Sequence, residues 1–251
     1  MRELPVYLRR LPQRILSNNL SCAIVLPCYN PQPGWAARVI KEYGRVTDRI
    51  GFPVEIILVN DGSTSSVTEQ DITVLRTAMP SFRYISYTPN KGKGHALRQG
   101  VAATTADIII YTDVDFPYTT DSLVAIYHTL CTGDCDAAPG VKNKDYYAKV
   151  PALRRYISQA LRFLTGIFFR IPVTDTQCGL KGFRQHVKPV FLATTIDRYL
   201  FDLEFIRSLY RKKYRVKTVP VELNDDVYFK PMNYRLLIPE MKNFIRLLFR
   251  N

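Results

Sequence analysis

The sequence predicts an α/β protein, with a mostly parallel, twisted sheet flanked by helices. Short β-branched runs alternate with helix-length stretches through the first half, and each of those runs ends in polar, turn-forming residues. Composition sets the scale: 251 residues, 47% of them hydrophobic, are enough for one α/β domain with its own core. No repeat, low-complexity stretch or Pro/Ser/Gly-rich linker interrupts the chain, so a single domain over 1–251 is expected.

The strand candidates are CAIVLP (22–27), VEIILVN (54–60), FRYISY (82–87) and DIIIYT (107–112). Their apolar residues are nearly continuous, as in strands covered on both faces. Helix-length stretches follow at 34–49, 64–78, 92–104 and 121–131, which are the right-handed crossovers of a parallel sheet. The second half is less regular. A basic amphipathic segment, VPALRRYISQALRFLTGIFFR (150–170), precedes the turn-rich TDTQCGLKGFR. A helix, RYLFDLEFIRSLYRK, a strand, YRVKTVPVEL, and a basic amphipathic tail helix over 233–251 complete the order.

The charge is lopsided, with 35 Lys and Arg against 22 Asp and Glu for a net +13. This surplus suits polyanions: nucleic acid, anionic lipid or phosphorylated small molecules. The charge is dispersed and no nucleic-acid motif accompanies it, so no nucleic-acid partner is expected. Cys22, Cys28, Cys131, Cys135 and Cys178 form an odd, scattered set that reads as reduced cytoplasmic thiols. His95, His128 and His186 are equally dispersed, which argues against zinc. The N-terminus, MRELPVYLRRLPQRIL, is broken by Arg and Pro too often for a signal peptide, and no window has the roughly 20 apolar residues of a membrane span.

Ligands of parallel sheets bind beyond the carboxyl ends of the strands. There the chain places PCYN (27–30), NDGST (60–64), TPNKGKG (88–94) and DVD (113–115), pointing to one shared crevice. In NDGST, Asp61 can accept a hydrogen bond from a base or a ribose, or form an Asx-type turn that caps the following helix. In NKGKGHALRQG, Gly92 and Gly94 permit close backbone approach while Lys91, Lys93 and Arg98 supply charge. That suits a phosphate, and equally a solvated basic turn. Asp113 and Asp115, at the end of a buried strand, suit Mg²⁺ or Mn²⁺ shared with a diphosphate, or an ordinary acidic loop.

Taken in order, IVLPCYN, EIILVNDGST, NKGKGHALRQG and IIIYTDVD resemble glycosyltransferase family 2, whose fold is GT-A with a Rossmann-like nucleotide-binding half. DTQCGLKGFR with RYLFDLEFI is similar to the polyprenyl-phosphate branch, of the dolichyl-phosphate β-glucosyltransferase kind. The resemblance implies a nucleotide-sugar-binding half over 22–131 and an acceptor half over 132–222. It implies an inverting, metal-dependent hexosyltransferase that moves a sugar from a UDP-sugar to a polyprenyl phosphate. By the same resemblance, Pro27, Tyr29, Asn30 and Asp61 contact base and ribose. Lys91, Lys93 and Arg98 lie near ribose and diphosphate. Asp113 and Asp115 hold the metal, Arg154 and Ser158 receive the acceptor phosphate, and Asp175 faces the reacting sugar.

Departures from the family pattern stand at Pro31, Asn60, Phe116-Pro117 and Val141-Lys142. Phe116-Pro117 offers no side-chain oxygen as a third metal ligand, and Lys142 offers a point charge where relatives often carry a forked guanidinium. Lipid monophosphate has a second pKa of about 6, so it needs cations more than a base. Arg154, Arg155, Arg162 and Arg170 suit that acceptor, with Asp202 and Glu204 as lesser candidates for a base. A saccharide hydroxyl acceptor, in cell-envelope polysaccharide synthesis, is the competing expectation and would require a carboxylate base. In the tail, Lys242, Arg246 and Arg250 beside Met241, Ile245 and Leu248 suit peripheral attachment to the inner face of the cell membrane, or packing on the sheet.

Overall fold

The computed structural model describes residues 20–142, 165–166, 168–169, 171–172, 175–176, 178–225, 227 and 237–249. In chain order these form β1 (Cys22–Cys28), α1 (Trp35–Ile50), β2 (Glu55–Asp61), α2 (Glu69–Ala78), β3 (Phe82–Tyr87), α3 (Lys93–Ala102), β4 (Ile108–Tyr111) and α4 (Thr120–Cys131). The expected strands and helices of the first half are all present. The largest difference is α2, expected from residue 64. It starts at Glu69 because Thr68 and Asp71 form a reciprocal capping box that fixes its first turn.

The second half adds β5 (Ala137–Lys142), β6 (Lys181–Arg184), α5 (Lys188–Leu192), α6 (Phe201–Arg211), β7 (Val219–Val221) and α7 (Leu237–Phe249). All seven strands join one sheet in the order β3-β2-β1-β4-β6-β5-β7. β1 pairs in parallel with β2 and β4, and β2 with β3. β6 runs antiparallel to both β4 and β5, while β5 and β7 are parallel.

β6 corrects the turn-rich reading of TDTQCGLKGFR. KGFR is strand because Phe183 is fully buried and Gly182 lets α4 lie close. A Cβ on Gly182 would stand 2.6 Å from Ile126 Cγ2. The strand expected over 214–223 contracts to Val219–Val221. β5, AAPGVK, was not foreseen, because Pro139 and Gly140 hide it in the sequence.

The sheet divides the core in two. Ile24, Leu26, Ile56, Leu58, Ile108 and Ile110 face α1, α2 and α4, while Ala23, Val25, Ile57, Val59, Ile109 and Tyr111 face α3, α5, α6 and α7. This alternation follows from the two-residue period of a strand, and it explains why the first-half strands read as unbroken apolar runs. Gly100 brings α3 onto the sheet, since a Cβ there would lie 2.3 Å from Val25 Cγ1. None of the five cysteines is in a disulfide. Burial pushes the Cys22 and Cys178 thiols up, which suits packing rather than reactivity. Among the described residues no helix is long and apolar enough to cross a membrane.

Candidate functional site

The carboxyl ends of β1, β2, β3 and β4 lie side by side, and the loops leaving them interlock. At the end of β1, Pro27 is half-buried and Tyr29 half-exposed. Asn30 takes a positive φ of 43°. Its amide donates to Ser63 Oγ (3.0 Å), and its Oδ1 accepts from Thr64 N (3.2 Å) and Ser66 Oγ (3.3 Å). Asn30 therefore ties the first loop to the second.

Asp61 ties the second loop to the third. Its carboxylate is buried and accepts from Lys91 N (2.8 Å), Gly92 N (2.9 Å) and Asn90 Nδ2 (2.7 Å). Gly62, at φ 74°, passes so close that a Cβ would meet Asn90 N at 2.6 Å. The capping role weighed for Asp61 is thus real but differently placed: it holds the approach to α3, not the start of α2.

The N-terminus of α3 is partly engaged as well. Gly94 N donates to Asp197 O at 2.7 Å, and a Cβ on Gly92 would meet the same oxygen at 2.5 Å. Arg98 donates to Ile196 O (3.0 Å) and pairs with Asp197. It is bound into the 194–197 segment, whereas Lys91 is exposed and lies over the Tyr87 ring at 5.5 Å. His95 stands edge-on to Tyr87, and burial lowers its pKa.

Lys93, at the first position of α3, reaches the end of β4 and pairs with Asp113. Burial alone would lower the lysine's pKa, but Asp113 and then Asp202 outweigh it and hold it above the ordinary value. Asp113 begins a tight turn in which Phe116 N donates to Asp113 O (2.9 Å) and Phe116 takes φ 44°. Asp115 lies exposed within that turn.

Two residues that sequence reasoning missed brace the turn from outside. Arg38 donates to Asp115 O (3.0 Å), and Asn224 Nδ2 to Phe116 O (2.8 Å) and Tyr118 O (3.0 Å). Nothing in their local sequence marks them, because both act across long sequence separations. Among the described residues no three His, Cys, Asp or Glu side chains gather as a metal-holding group, and Phe116-Pro117 brings no side-chain oxygen beside Asp115.

The segment before β6 closes the site. Gly179 N donates to Tyr118 OH (3.2 Å), and a Cβ on Gly179 would stand 2.8 Å from Asp113 Oδ2. Asp175 is buried beside Lys142, whose backbone N–H donates to it at 3.4 Å and whose ammonium stands 3.8 Å away.

Behind Lys93, Asp202 accepts from Tyr111 OH (2.6 Å) and pairs with the fully buried Lys181 (2.8 Å). Burial, then Asp202, pushes the Tyr111 phenol far up, so it stays a donor. Asp202 is committed to this pair, and Glu204 accepts the backbone amides of Thr195 and Ile196 at 2.9 Å, so neither is placed as a base. Arg154, Ser158, Arg155, Arg162 and Arg170 lie outside the described residues.

A mostly parallel sheet with an antiparallel strand inserted beside its central pair, and an acidic turn at the end of β4, defines the GT-A class. Residues 23–188 match the glycosyl transferase family 2 profile, and the chain belongs to that family. It is 23% identical over 222 residues to the dolichyl-phosphate beta-glucosyltransferase of Saccharomyces cerevisiae, covering 81% of this chain and 66% of the relative. To the Dictyostelium discoideum protein of the same name it is 25% identical over 251 residues, covering 93% and 75%. Among solved structures it is similar to glucosyl-3-phosphoglycerate synthase from Mycobacterium tuberculosis in complex with Mn²⁺ and UDP-glucose. That likeness has TM-score 0.60, 20% identity, and coverage of 90% of this chain and 77% of the other, and it concerns the fold.

Proposed function

We propose that this protein transfers a hexose from a UDP-sugar to a polyprenyl phosphate, with inversion, at a membrane surface. The observation that carries the reading is the convergence of the Asp113/Asp115 turn, Lys93 and Gly179 at the carboxyl end of the sheet. The polyprenyl-phosphate acceptor rests on relatives named for transfer to dolichyl phosphate, and the UDP-sugar on a fold neighbour solved with UDP-glucose.

The residues fit a divalent ion. Two carboxylates stand two positions apart on one braced turn, and bare Gly179 leaves room beside Asp113 Oδ2. Asp113 and Asp115 would hold Mg²⁺ or Mn²⁺, with remaining ligands from water and donor oxygens. The bound ion would neutralise charge developing on the departing diphosphate.

The chain's own groups do the rest. Asn30 and Asp61 lock the loops on which base and ribose rest, with Pro27 and Tyr29 at the mouth. Lys93 meets the diphosphate with Lys91 at the rim, while Arg98 holds the α3 end in place. Asp175, steadied by Lys142, orients the sugar. An acceptor phosphate, largely dianionic at neutral pH, attacks without a strong base. Arg154 and Ser158 would receive it.

α7 supports action at a membrane surface. Phe244 and Leu247 pack inward, and Glu240 accepts from Leu200 N at 3.0 Å. Its outer side shows Met241, Ile245 and Phe249, 56%, 47% and 82% exposed, beside exposed Lys242 and Arg246. An apolar stripe edged with cations suits the interface of an anionic bilayer.

The test is purified protein with Mn²⁺, radiolabelled UDP-glucose, and either a polyprenyl phosphate or an oligosaccharide. Label in the lipid fraction, lost in Asp115→Ala, is the expected result. Label appearing only in oligosaccharide overturns the acceptor assignment.

A further inference from the structure

Lys93 and Asp113 form the outer of two stacked ion pairs. The inner pair, Lys181 and Asp202, is buried and further held by Tyr111 OH at 2.6 Å. The outer pair meets solvent, with side chains 19% exposed at Lys93 and 39% at Asp113. Asp202 therefore adds to the field at Lys93 while its Oδ1 takes both Lys181 and Tyr111.

Among the described residues, the other cations of the α3 end are engaged elsewhere. Arg98 is bound to Asp197 and Ile196 O, and Lys91 lies over Tyr87. Gly179 lies close against the pair without a side chain to cover it, since a Cβ there would stand 2.8 Å from Asp113 Oδ2 and 3.7 Å from Lys93 Nζ.

Charge then sets an order of events. The carboxylates of Asp113 and Asp115 are offset by the ammonium of Lys93 and by the guanidinium of Arg38 at the Asp115 carbonyl, which leaves the mouth near neutral. A divalent ion arriving alone must break the Lys93–Asp113 pair and stand beside an ammonium that has lost its partner. Like charges that close repel strongly in a partly desolvated site. A nucleotide diphosphate arriving with the ion offers the ammonium new oxygens and offsets the ion's charge.

We infer that Lys93 is a resident counter-ion for Asp113, which a divalent ion displaces only when a nucleotide diphosphate draws the ammonium away. Metal and nucleotide then bind with positive coupling whose origin is this one side chain, and the coupling is reciprocal. The inference rests on the donor reading above.

The test measures Mn²⁺ binding by calorimetry and by the electron paramagnetic resonance of free Mn²⁺, with and without UDP. In the wild type, UDP tightens Mn²⁺ about tenfold or more. Lys93→Met binds Mn²⁺ alone about tenfold tighter than the wild type, and its enhancement by UDP falls below about threefold. Lys93→Arg, which keeps the charge, retains the wild-type pattern. Lys93→Gln replaces Lys93→Met should the latter lose the wild-type circular dichroism.

Unchanged affinity of Lys93→Met for Mn²⁺ alone, or an undiminished UDP enhancement, overturns the inference while leaving the donor reading intact. Absence of any Mn²⁺-dependent UDP binding in the wild type overturns the donor reading, and this inference with it.

Discussion

Replacing Asp61 with Asn separates two roles that the sequence motif leaves mixed: direct contact with the nucleoside, and construction of the loop that receives it. The carboxylate accepts from Lys91 N at 2.8 Å on one oxygen, and from Gly92 N at 2.9 Å and Asn90 Nδ2 at 2.7 Å on the other. A carboxamide has one acceptor oxygen. In its better orientation it keeps the two donors on one side and turns an NH2 group toward Lys91 N. One buried donor left unpaired costs about 1–3 kcal/mol. Losing the charge assistance on the two remaining bonds adds about 1 kcal/mol. The total is about 2–4 kcal/mol, or roughly 5–12 °C in Tm for a chain of this size. Differential scanning calorimetry on Asp61→Asn, paired with UDP titration, should show both the Tm loss and weaker UDP binding. A Tm within about 2 °C of the wild type together with lost UDP binding would refute the reasoning, because Asp61 would then act on the ligand and not on the loop.

Other consequences follow from the same contacts. Asp136 takes hydrogen bonds from the Arg215 guanidinium, which lower its pKa to about 2 against desolvation. A carboxyl depressed below its unfolded value of 3.8 stabilises the fold above that pH and ceases to as pH falls through about 2. Asp136→Asn should therefore cost about 2 kcal/mol in urea unfolding at pH 7, with the gap to the wild type narrowing from about pH 4 downward. Lys181→Met leaves Asp202 buried without its cation and should cost about 3–5 kcal/mol by the same method, with much of the loss recovered in Lys181→Met/Asp202→Asn. Gly179→Ala drives a Cβ toward Asp113 Oδ2 at 2.8 Å, so Mn²⁺-stimulated transfer should fall about tenfold or more while urea stability drops by only about 1 kcal/mol.

The second half of the sheet was least legible in the sequence, and its residues explain why. Lys181 looks like a turn lysine in CGLKGFR, yet it is fully buried because Asp202 and Tyr111, far away in sequence, supply its partner and its ceiling. Arg98 looks like a phosphate ligand beside two lysines, yet Asp197, on a segment 99 positions away, holds it. Local pattern records which residues are charged. It does not record which charges meet.

By itself the sequence determined the order of the first strands and helices, because buried parallel strands must be apolar on both faces and crossovers must be helices. It also determined where chemistry would gather, because polar turns at strand ends are where such sheets leave backbone groups open to ligands. The tertiary structure alone decided how the charged groups divide their work. Asp61 faces loop amides, Asp202 faces Lys181, and Asp113 faces Lys93. Each pairing brings together segments distant in the chain, and pairings of that kind depend on the sheet order that packing selects.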